Sequence, residues 1–525
     1  MELTGGNYIA GKNSSNGKSI FKAINPSDTL ELPTTFHEAT KQEVDEAVNS
    51  AFEAFSVYGK KSGNEKAVLL DTIADEILNL GEELIERCSA ETGLPAARIT
   101  GERGRTMGQL KLFANVLREG SWVDARIDTA IPDRQPIPKP DVRSMLKALG
   151  PVGIFGASNF PLAFSVAGGD TASALASGCP VVVKAHPSHP GTCELIAIAI
   201  NNAIKKTNMP NGVFSLLQGT SVEVGMAIVN HPSIKAIGFT GSYKGGKAIF
   251  DAANNRDEPI PVYSEMGSTN PVFILPGIIS EKSDEIAEGI TNSVTLGVGQ
   301  FCTNPGLVFF EKNTNSNSFS EKVSNYFEKV EANPMLNKSI KESFDRGVNE
   351  LTKTPDVTMV AKGNDNGEGY KGRAYVFETS AKNFLSNNTL EEEVFGPSTI
   401  SVIADSKSDL LASAKKLKGH LTATVFANAG DLASYSELIE ILEQKVGRLI
   451  INNFPTGVEV CPSMVHGGPF PATTDSRSTS VGTRAITRFA RPFCYQNFPQ
   501  SLLPDELKDE NILGITRILN GEYTK

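Results

Sequence analysis

Several things that would fix the class of a protein at once are scarce in this chain. Its six cysteines (Cys88, Cys179, Cys193, Cys302, Cys461 and Cys494) are scattered over 525 residues with no Cys-x-x-Cys. No disulfide framework is read from them, and a reducing cytoplasmic setting is expected. No apolar run reaches the ~18 residues that a bilayer crossing needs. The first eleven residues lack the basic start and apolar core of a secretory signal. Basic residues do not prevail either. Fifty Lys and Arg against sixty Asp and Glu leave a formal charge of -10, which argues against nucleic acid as a partner while leaving room for a local basic pocket. His186 and His189 have His-x-x-His spacing. No third ligand of suitable spacing accompanies them, and zinc is usually held by three or four protein ligands, so no metal is expected.

What is present is enough chain for more than one core, so two or three domains are expected. Hydrophobic residues at 40% and charged residues at 21% fit a globular protein. The first ~120 residues read mostly as helices. Thr40-x-x-Glu43 and Ser62-x-x-Glu65 are capping-box patterns, in which each side chain satisfies a free backbone donor of the other residue. Val44, Ala47, Val48, Ala51, Phe52 and Phe55 form an apolar stripe behind the first. Leu69, Ile73, Ile77, Leu80 and Leu84 form one behind the second.

From about residue 145 the pattern alternates. Strands are predicted at 152–156, 180–184, 214–217 and 234–239, with helices between them, the first over 161–177. Such alternation implies a parallel, doubly wound α/β sheet. Ligands of these sheets sit outside the carboxyl ends of the strands, where Asn159, Lys184 and Thr240-Gly241-Ser242 fall. A second α/β alternation begins near Asn270. The stretch 126–141, with Pro132, Pro136, Pro138 and Pro140, is confined to loop or edge strand and suits an excursion toward a partner subunit.

A few residues have chemistry that their surroundings suit. Cys302 stands in Gly299-Gln300-Phe301-Cys302-Thr303-Asn304-Pro305-Gly306, a setting open enough for a nucleophilic thiol; the alternative is a half-buried structural cysteine. Glu265 ends the segment Val262-Tyr263-Ser264-Glu265 and suggests a base. Asn159 can donate to an oxyanion or cap a helix. His466, in Met464-Val465-His466-Gly467-Gly468, either moves protons near neutral pH or is a structural loop histidine. The turn Gly238-Phe239-Thr240-Gly241-Ser242-Tyr243-Lys244-Gly245-Gly246 opens a helix where a phosphate can meet free N–H groups, or is an ordinary strand-to-helix turn. Lys184 either holds ribose and phosphate or is solvated. Glu391-Glu392-Glu393-Val394-Phe395 reads first as a solvated acidic loop.

Together and in this order, Ser158-Asn159-Phe160-Pro161, Val183-Lys184, Phe239-Thr240-Gly241-Ser242, Glu265-Met266-Gly267, Gly299-Gln300-Phe301-Cys302 and Glu393-Val394-Phe395-Gly396-Pro397 resemble the aldehyde dehydrogenase superfamily, over nearly the whole chain. The resemblance implies an α/β fold with a Rossmann-type cofactor domain (1–125 and 145–268), a catalytic cysteine domain (269–470) and an oligomerisation element (126–144 and 480–525). It implies Cys302 as the nucleophile, Asn159 with the Cys302 backbone N–H as oxyanion hole, and Glu265 as the base that hydrolyses the thioester. Lys184, Gly241, Ser242, Gly246, Glu393 and Phe395 are implied as cofactor contacts.

Two departures sharpen the expectation. Pro187 stands where NAD-preferring members usually carry a glutamate, so no carboxylate is expected to repel a 2′-phosphate; NADP is expected, with NAD accepted. The variant late segment His466-Gly467-Gly468-Pro469-Phe470-Pro471 resembles a subgroup containing 2,5-dioxovalerate (α-ketoglutaric semialdehyde) dehydrogenases and an NADP-linked long-chain aldehyde dehydrogenase. In that subgroup the matching histidine lies near the cysteine. The resemblance therefore implies oxidation of 2,5-dioxovalerate to 2-oxoglutarate by a homodimer or homotetramer, with a broad or fatty aldehyde dehydrogenase as the alternative and a non-catalytic homologue as a remote one. A carboxylate-bearing substrate needs a cation, and Arg103, Arg105 and Arg484 are its possible sources.

Overall fold

The computed structural model describes residues 2–365 and 369–525. Both capping boxes form. Thr40 and Glu43 satisfy each other's backbone donors at the start of the helix Lys41–Tyr58, and Ser62 and Glu65 do so for Gly63–Asn79. The stripes behind them are buried, with two exceptions: Phe52 is 53% exposed and Phe55 is half-buried, while Ala54 and Tyr58 fill the core side instead. The first forty residues depart from the helical expectation. They form the short strands Asn7–Ile9, Lys12–Ser14, Ile20–Ile24 and Glu31–His37. These escape the sequence pattern because they lie at sheet edges or pair only with each other, leaving Ile20 and Ile24 exposed.

Five parallel strands make the first sheet, in the order Val262–Glu265, Ala236–Thr240, Val152–Phe155, Val181–Lys184 and Phe214–Leu217. The antiparallel strands Asn7–Ile9 and Lys12–Ser14 extend it. The helix after Val152–Phe155 starts later than predicted, at Gly169–Ser177. Before it, the N–H groups of Leu162 and Ala163 donate to Glu102 Oε1 at 2.8 and 2.9 Å, so this stretch runs as turns docked on the helix Ala96–Glu119.

The second sheet orders Val357–Lys362, Tyr375–Ser380, Ser398–Ala404, Leu307–Glu311, Val272–Ile274, His420–Phe426 and Val446–Ile451, all parallel except its first edge. A third, five-stranded sheet joins Arg126–Asp128 and Val142–Ala148 to Ala490–Gln496, Arg517–Leu519 and Glu522–Thr524. The proline-bearing stretch is thus the link between two of its strands. No helix among the described residues is long and apolar enough to cross a membrane.

One crossing positions the site. Near its end the chain runs beside the edge strand of the first sheet: Met266 N donates to Ala472 O at 2.8 Å and Thr474 N to Ser264 O at 3.1 Å. Ser264 N in turn donates to Thr474 Oγ1 at 2.9 Å. Residues 466–480 are thereby stitched to the strand that ends in Glu265.

Candidate active site

Glu265 closes its strand, 4% exposed, with its carboxylate held from two sides. His466 Nε2 lies 2.9 Å from Oε1, and the Ser480 hydroxyl donates to Oε2 at 2.7 Å. His466 is itself fixed by its backbone, its N–H donating to Thr479 Oγ1 at 2.8 Å while its carbonyl accepts from Ser480 N at 2.8 Å. The same Nε2 lies 3.4 Å from Cys302 Sγ. Sγ, Nε2 and the Glu265 carboxylate oxygen all fall within 4.8 Å of one another. Three segments far apart in the chain therefore meet at one point.

Cys302 follows a tight left-handed turn that two glycines favour. Gly297, Val298 and Gly299 all have positive φ, and a side chain on Gly299 would overlap the Gly396 backbone. Asn270, fully buried, ties the loop down: its Nδ2 donates to the carbonyls of Cys302 and Asn304, both at 2.9 Å. Asn159 Nδ2 donates to Gln300 O at 2.9 Å. An amide nitrogen carries two hydrogens, so one remains for another acceptor. Asn270 and Ser480 were missed by sequence reasoning. Nothing in their local sequence distinguishes them, because their partners lie across the fold.

The electrostatics follow from burial and neighbours. Burial raises the Cys302 thiol well above the usual cysteine value, the Glu265 charge adds to this, and Arg105 opposes it. Glu265 moves the other way. Burial alone would raise its carboxyl, but His466 and the hydrogen bond from Ser480 hold it below its ordinary value. With Glu265 ionised, the short contact to Oε1 assigns a ring proton to Nε2. Nδ1 is buried and has no hydrogen-bond partner among the described residues. A thiol, an imidazole and an ionised carboxylate are thus in mutual reach, with the thiol protonated at rest.

The histidine pair singled out for its spacing lies elsewhere. His186 and His189 stack at 5.3 Å, and His189 meets Ala157 O and Cys193 Sγ, both at 3.2 Å. The group of three metal-capable donors among the described residues is instead Glu265, Cys302 and His466.

The predicted cofactor residues line the carboxyl ends of the first sheet's strands and the loop opposite. Lys184 Nζ donates to Gly219 O at 2.6 Å, and burial lowers its pKa to about 8. Ser242 caps the helix Tyr243–Asn254 by accepting from Gly245 N at 3.2 Å. Gly241 and Ser242 are exposed, whereas Gly246 is buried with Met266 Cγ only 2.7 Å from where a Cβ would stand. An exposed helix start with free N–H groups and no side chain at its third and fourth positions suits a diphosphate. Glu393 and Phe395 line a cleft with Ser268, Thr269, Gly299 and Asn304, and Glu393 accepts from Ser268 N at 3.4 Å.

Around Pro187 the structure corrects one expectation. A carboxylate does stand on this rim: Glu38 Oε2 accepts from Thr220 N at 2.9 Å and Ser221 N at 3.2 Å, in the loop that Lys184 holds through Gly219. It lies 182 residues from Thr220 in the chain, outside any local motif. Burial holds His186 well below its ordinary pKa, so its ring is neutral near pH 7. Ser188 is bound through its hydroxyl to Asn337 Nδ2 at 2.7 Å. Lys184 is the cation of this group.

Comparison with known proteins places the whole chain. The pattern of the aldehyde dehydrogenase family matches residues 12–478. The chain is 46% identical over 524 residues to alpha-ketoglutaric semialdehyde dehydrogenase 2 of Azospirillum brasilense, covering 99% of this chain and 100% of that one. It is 45% identical over 525 residues to the alpha-ketoglutaric semialdehyde dehydrogenase of Acinetobacter baylyi, covering 100% and 99%. Betaine aldehyde dehydrogenase of Staphylococcus aureus, solved with NAD+, shares the fold at a TM-score of 0.80 and 21% identity, over 95% of this chain and 96% of that one. The Cys302 corner and the nucleotide-type turns thus lie in a fold shared from end to end with aldehyde-oxidising enzymes, and the chain belongs to the aldehyde dehydrogenase family.

Proposed function

We propose that this enzyme oxidises 2,5-dioxovalerate (α-ketoglutaric semialdehyde) to 2-oxoglutarate, with NADP as the preferred cofactor and NAD also accepted. The substrate reading is carried by the end-to-end identity to two relatives that bear this activity in their names. Sγ of Cys302 adds to the aldehyde carbon as the thiol proton passes to the Glu265 carboxylate, which releases it to solvent before the hydrolysis step. The remaining Asn159 amide hydrogen and the Cys302 backbone N–H are the donors for the oxyanion of the thiohemiacetal. When bound, the nicotinamide supplies the hydride acceptor that converts this adduct to a thioester on Cys302. Glu265, ionised, then takes a proton from the water that hydrolyses the thioester. His466 holds the carboxylate in place for this step.

The nucleotide is assigned to Lys184 for ribose and phosphate, to Gly241, Ser242 and Gly246 for the diphosphate, and to Glu393 with Phe395 for the nicotinamide ribose. Pro187 in place of an acid and the charge of Lys184 support NADP, with Glu38 opposing. The third sheet, built from the 126–148 and 490–524 segments, is proposed as the bridge of a homodimer or homotetramer. Six unpaired cysteines support a cytoplasmic setting. The test is NADPH and NADH formation across aldehydes that include 2,5-dioxovalerate and long-chain alkanals. The reading predicts the highest kcat/KM for 2,5-dioxovalerate with NADP. A preference for long-chain alkanals would refute the substrate, and a strong NAD preference the cofactor.

A further inference from the structure

The arginines near Cys302 differ in what their nitrogens are bound to. Arg98 donates to Asn159 O at 2.8 Å, and Arg448 to Pro455 O and Gly457 O, both at 3.0 Å. Of the other arginines considered from the sequence, Arg103 is bound to Gly81 O at 2.9 Å and Arg484 is exposed. Arg105 is different. Its guanidinium lies 5.6 Å over the Phe160 ring and 5.1 Å over the Phe164 ring. Both rings border the nucleophile. Phe160 meets Phe301, the neighbour of Cys302, edge-on at 5.2 Å, and Phe164 stands 6.1 Å from the His466 ring.

Two of the Arg105 nitrogens, Nε and Nη2, are buried and have no hydrogen-bond partner. They form one edge of the guanidinium, the side-on fork that matches the two oxygens of a carboxylate. Glu102, one turn earlier on the same helix, balances part of the charge but gives its Oε1 to Leu162 and Ala163. Glu265 and the exposed Glu459 act only at longer range, since neither forms an ion pair with Arg105. The wall formed by these two rings is apolar, since Phe160 and Phe164 pack in one cluster with Ala157, Ala163 and Val481. A cation left with free donors in such a wall is costly unless a ligand brings the missing anion.

We propose that the Nε–Nη2 edge of Arg105 is the receptor for the carboxylate at the far end of the substrate, and so selects ω-oxo acids over neutral aldehydes while Cys302 takes the aldehyde end. This inference rests on the substrate reading above, and names the residue that enforces it. Arg105 is a specificity-determining residue that orients the substrate and takes no part in bond making.

The experiment compares kcat/KM for 2,5-dioxovalerate and for pentanal, with NADP, in the wild type, Arg105→Gln and Arg105→Lys. Because both substrates are measured in the same preparation, their ratio does not depend on how much of a variant is folded. In the wild type the acid is expected to be strongly preferred. Arg105→Gln should cut that preference by about 30-fold or more, mainly through KM, the scale expected for losing a buried charge partner. Pentanal should stay within about threefold, and Arg105→Lys should restore part of the preference, since it keeps the charge and loses the fork. If the wild type prefers the acid and Arg105→Gln keeps that preference, this inference fails while the substrate reading stands. An equal fall for both substrates would make Arg105 a support of the thiol or the fold, and would likewise overturn it. A wild type indifferent to the carboxylate would remove the substrate reading and this inference with it.

Discussion

The molecule contains two cysteine–histidine pairs of nearly the same length, and they are not alike. Cys302 and His466 lie 3.4 Å apart, and Cys193 and His189 lie 3.2 Å apart. The second pair is local, four residues apart at the start of one helix, and both members are 0% exposed. His189 gives its other nitrogen to a backbone carbonyl, and Cys193 Sγ meets the Ser165 hydroxyl at 3.8 Å. The first pair spans 164 residues, keeps its sulfur partly open, and adds a carboxylate as third member. A short S···N distance therefore says little about reactivity. Access for a carbonyl and a third group to take the proton make the difference.

The hardest test of this contrast is removal of each sulfur. Cys302→Ala should lower NADPH formation by about 10⁴-fold or more, whereas Cys193→Ala should leave kcat within about threefold. Equal losses in steady-state assays would erase the distinction. Glu265→Gln should reduce steady-state turnover by about 10²- to 10⁴-fold and slow, without abolishing, the burst of one NADPH per site in stopped-flow traces, because the carboxylate takes the thiol proton before it activates water. A burst as fast as that of the wild type would take Glu265 out of the thiol step.

The third member can also be probed with a metal. Sγ, Nε2 and a carboxylate oxygen form a donor set of the open zinc type. Added Zn2+ should therefore inhibit by about tenfold or more at micromolar levels, reversibly with a chelator. Calorimetry should show one equivalent bound by the wild type and by Cys193→Ser, and none by Cys302→Ser.

Alkylation gives a gentler reading. The Cys302 thiol is raised above the ordinary cysteine value, so its thiolate fraction grows as pH rises. Iodoacetamide labelling of Cys302, followed by mass spectrometry, should climb steadily from pH 7 to beyond pH 9, with Cys193 unlabelled in the native protein. A plateau below pH 8 would mean a thiolate already formed at rest. The smallest effect is expected for Cys193→Ser, a loss of about 1–2 kcal/mol in stability by denaturant melts, with kinetics unchanged.

The same contrast explains what was legible in the sequence. Capping boxes, parallel strands and the Ser242 turn rest on chemistry within a few residues, and each stands where its pattern put it. The N-terminal strands did not show, since edge strands with one wet side carry no clean alternation. Cys302, Glu265 and His466 could be singled out by type and setting. That they share one proton network could not, for it depends on residues 472–474 lying along the Val262–Glu265 strand. Asn270, Ser480, Glu38 and the free edge of Arg105 are legible only once the chain is folded, because each is defined by a partner, or the lack of one, across the molecule.

The contact of Gly299 with Gly396 reaches further than the turn it allows. Backbone rests on backbone there, between the loop that carries Cys302 and the loop that carries Glu393 and Phe395. In mechanical terms the two loops bear on each other, and the Asn304 side chain ties them by donating to Gly396 O at 3.1 Å. With Glu393 and Phe395 holding the nicotinamide ribose as proposed, a cofactor seated askew would be felt at the sulfur before any aldehyde arrived.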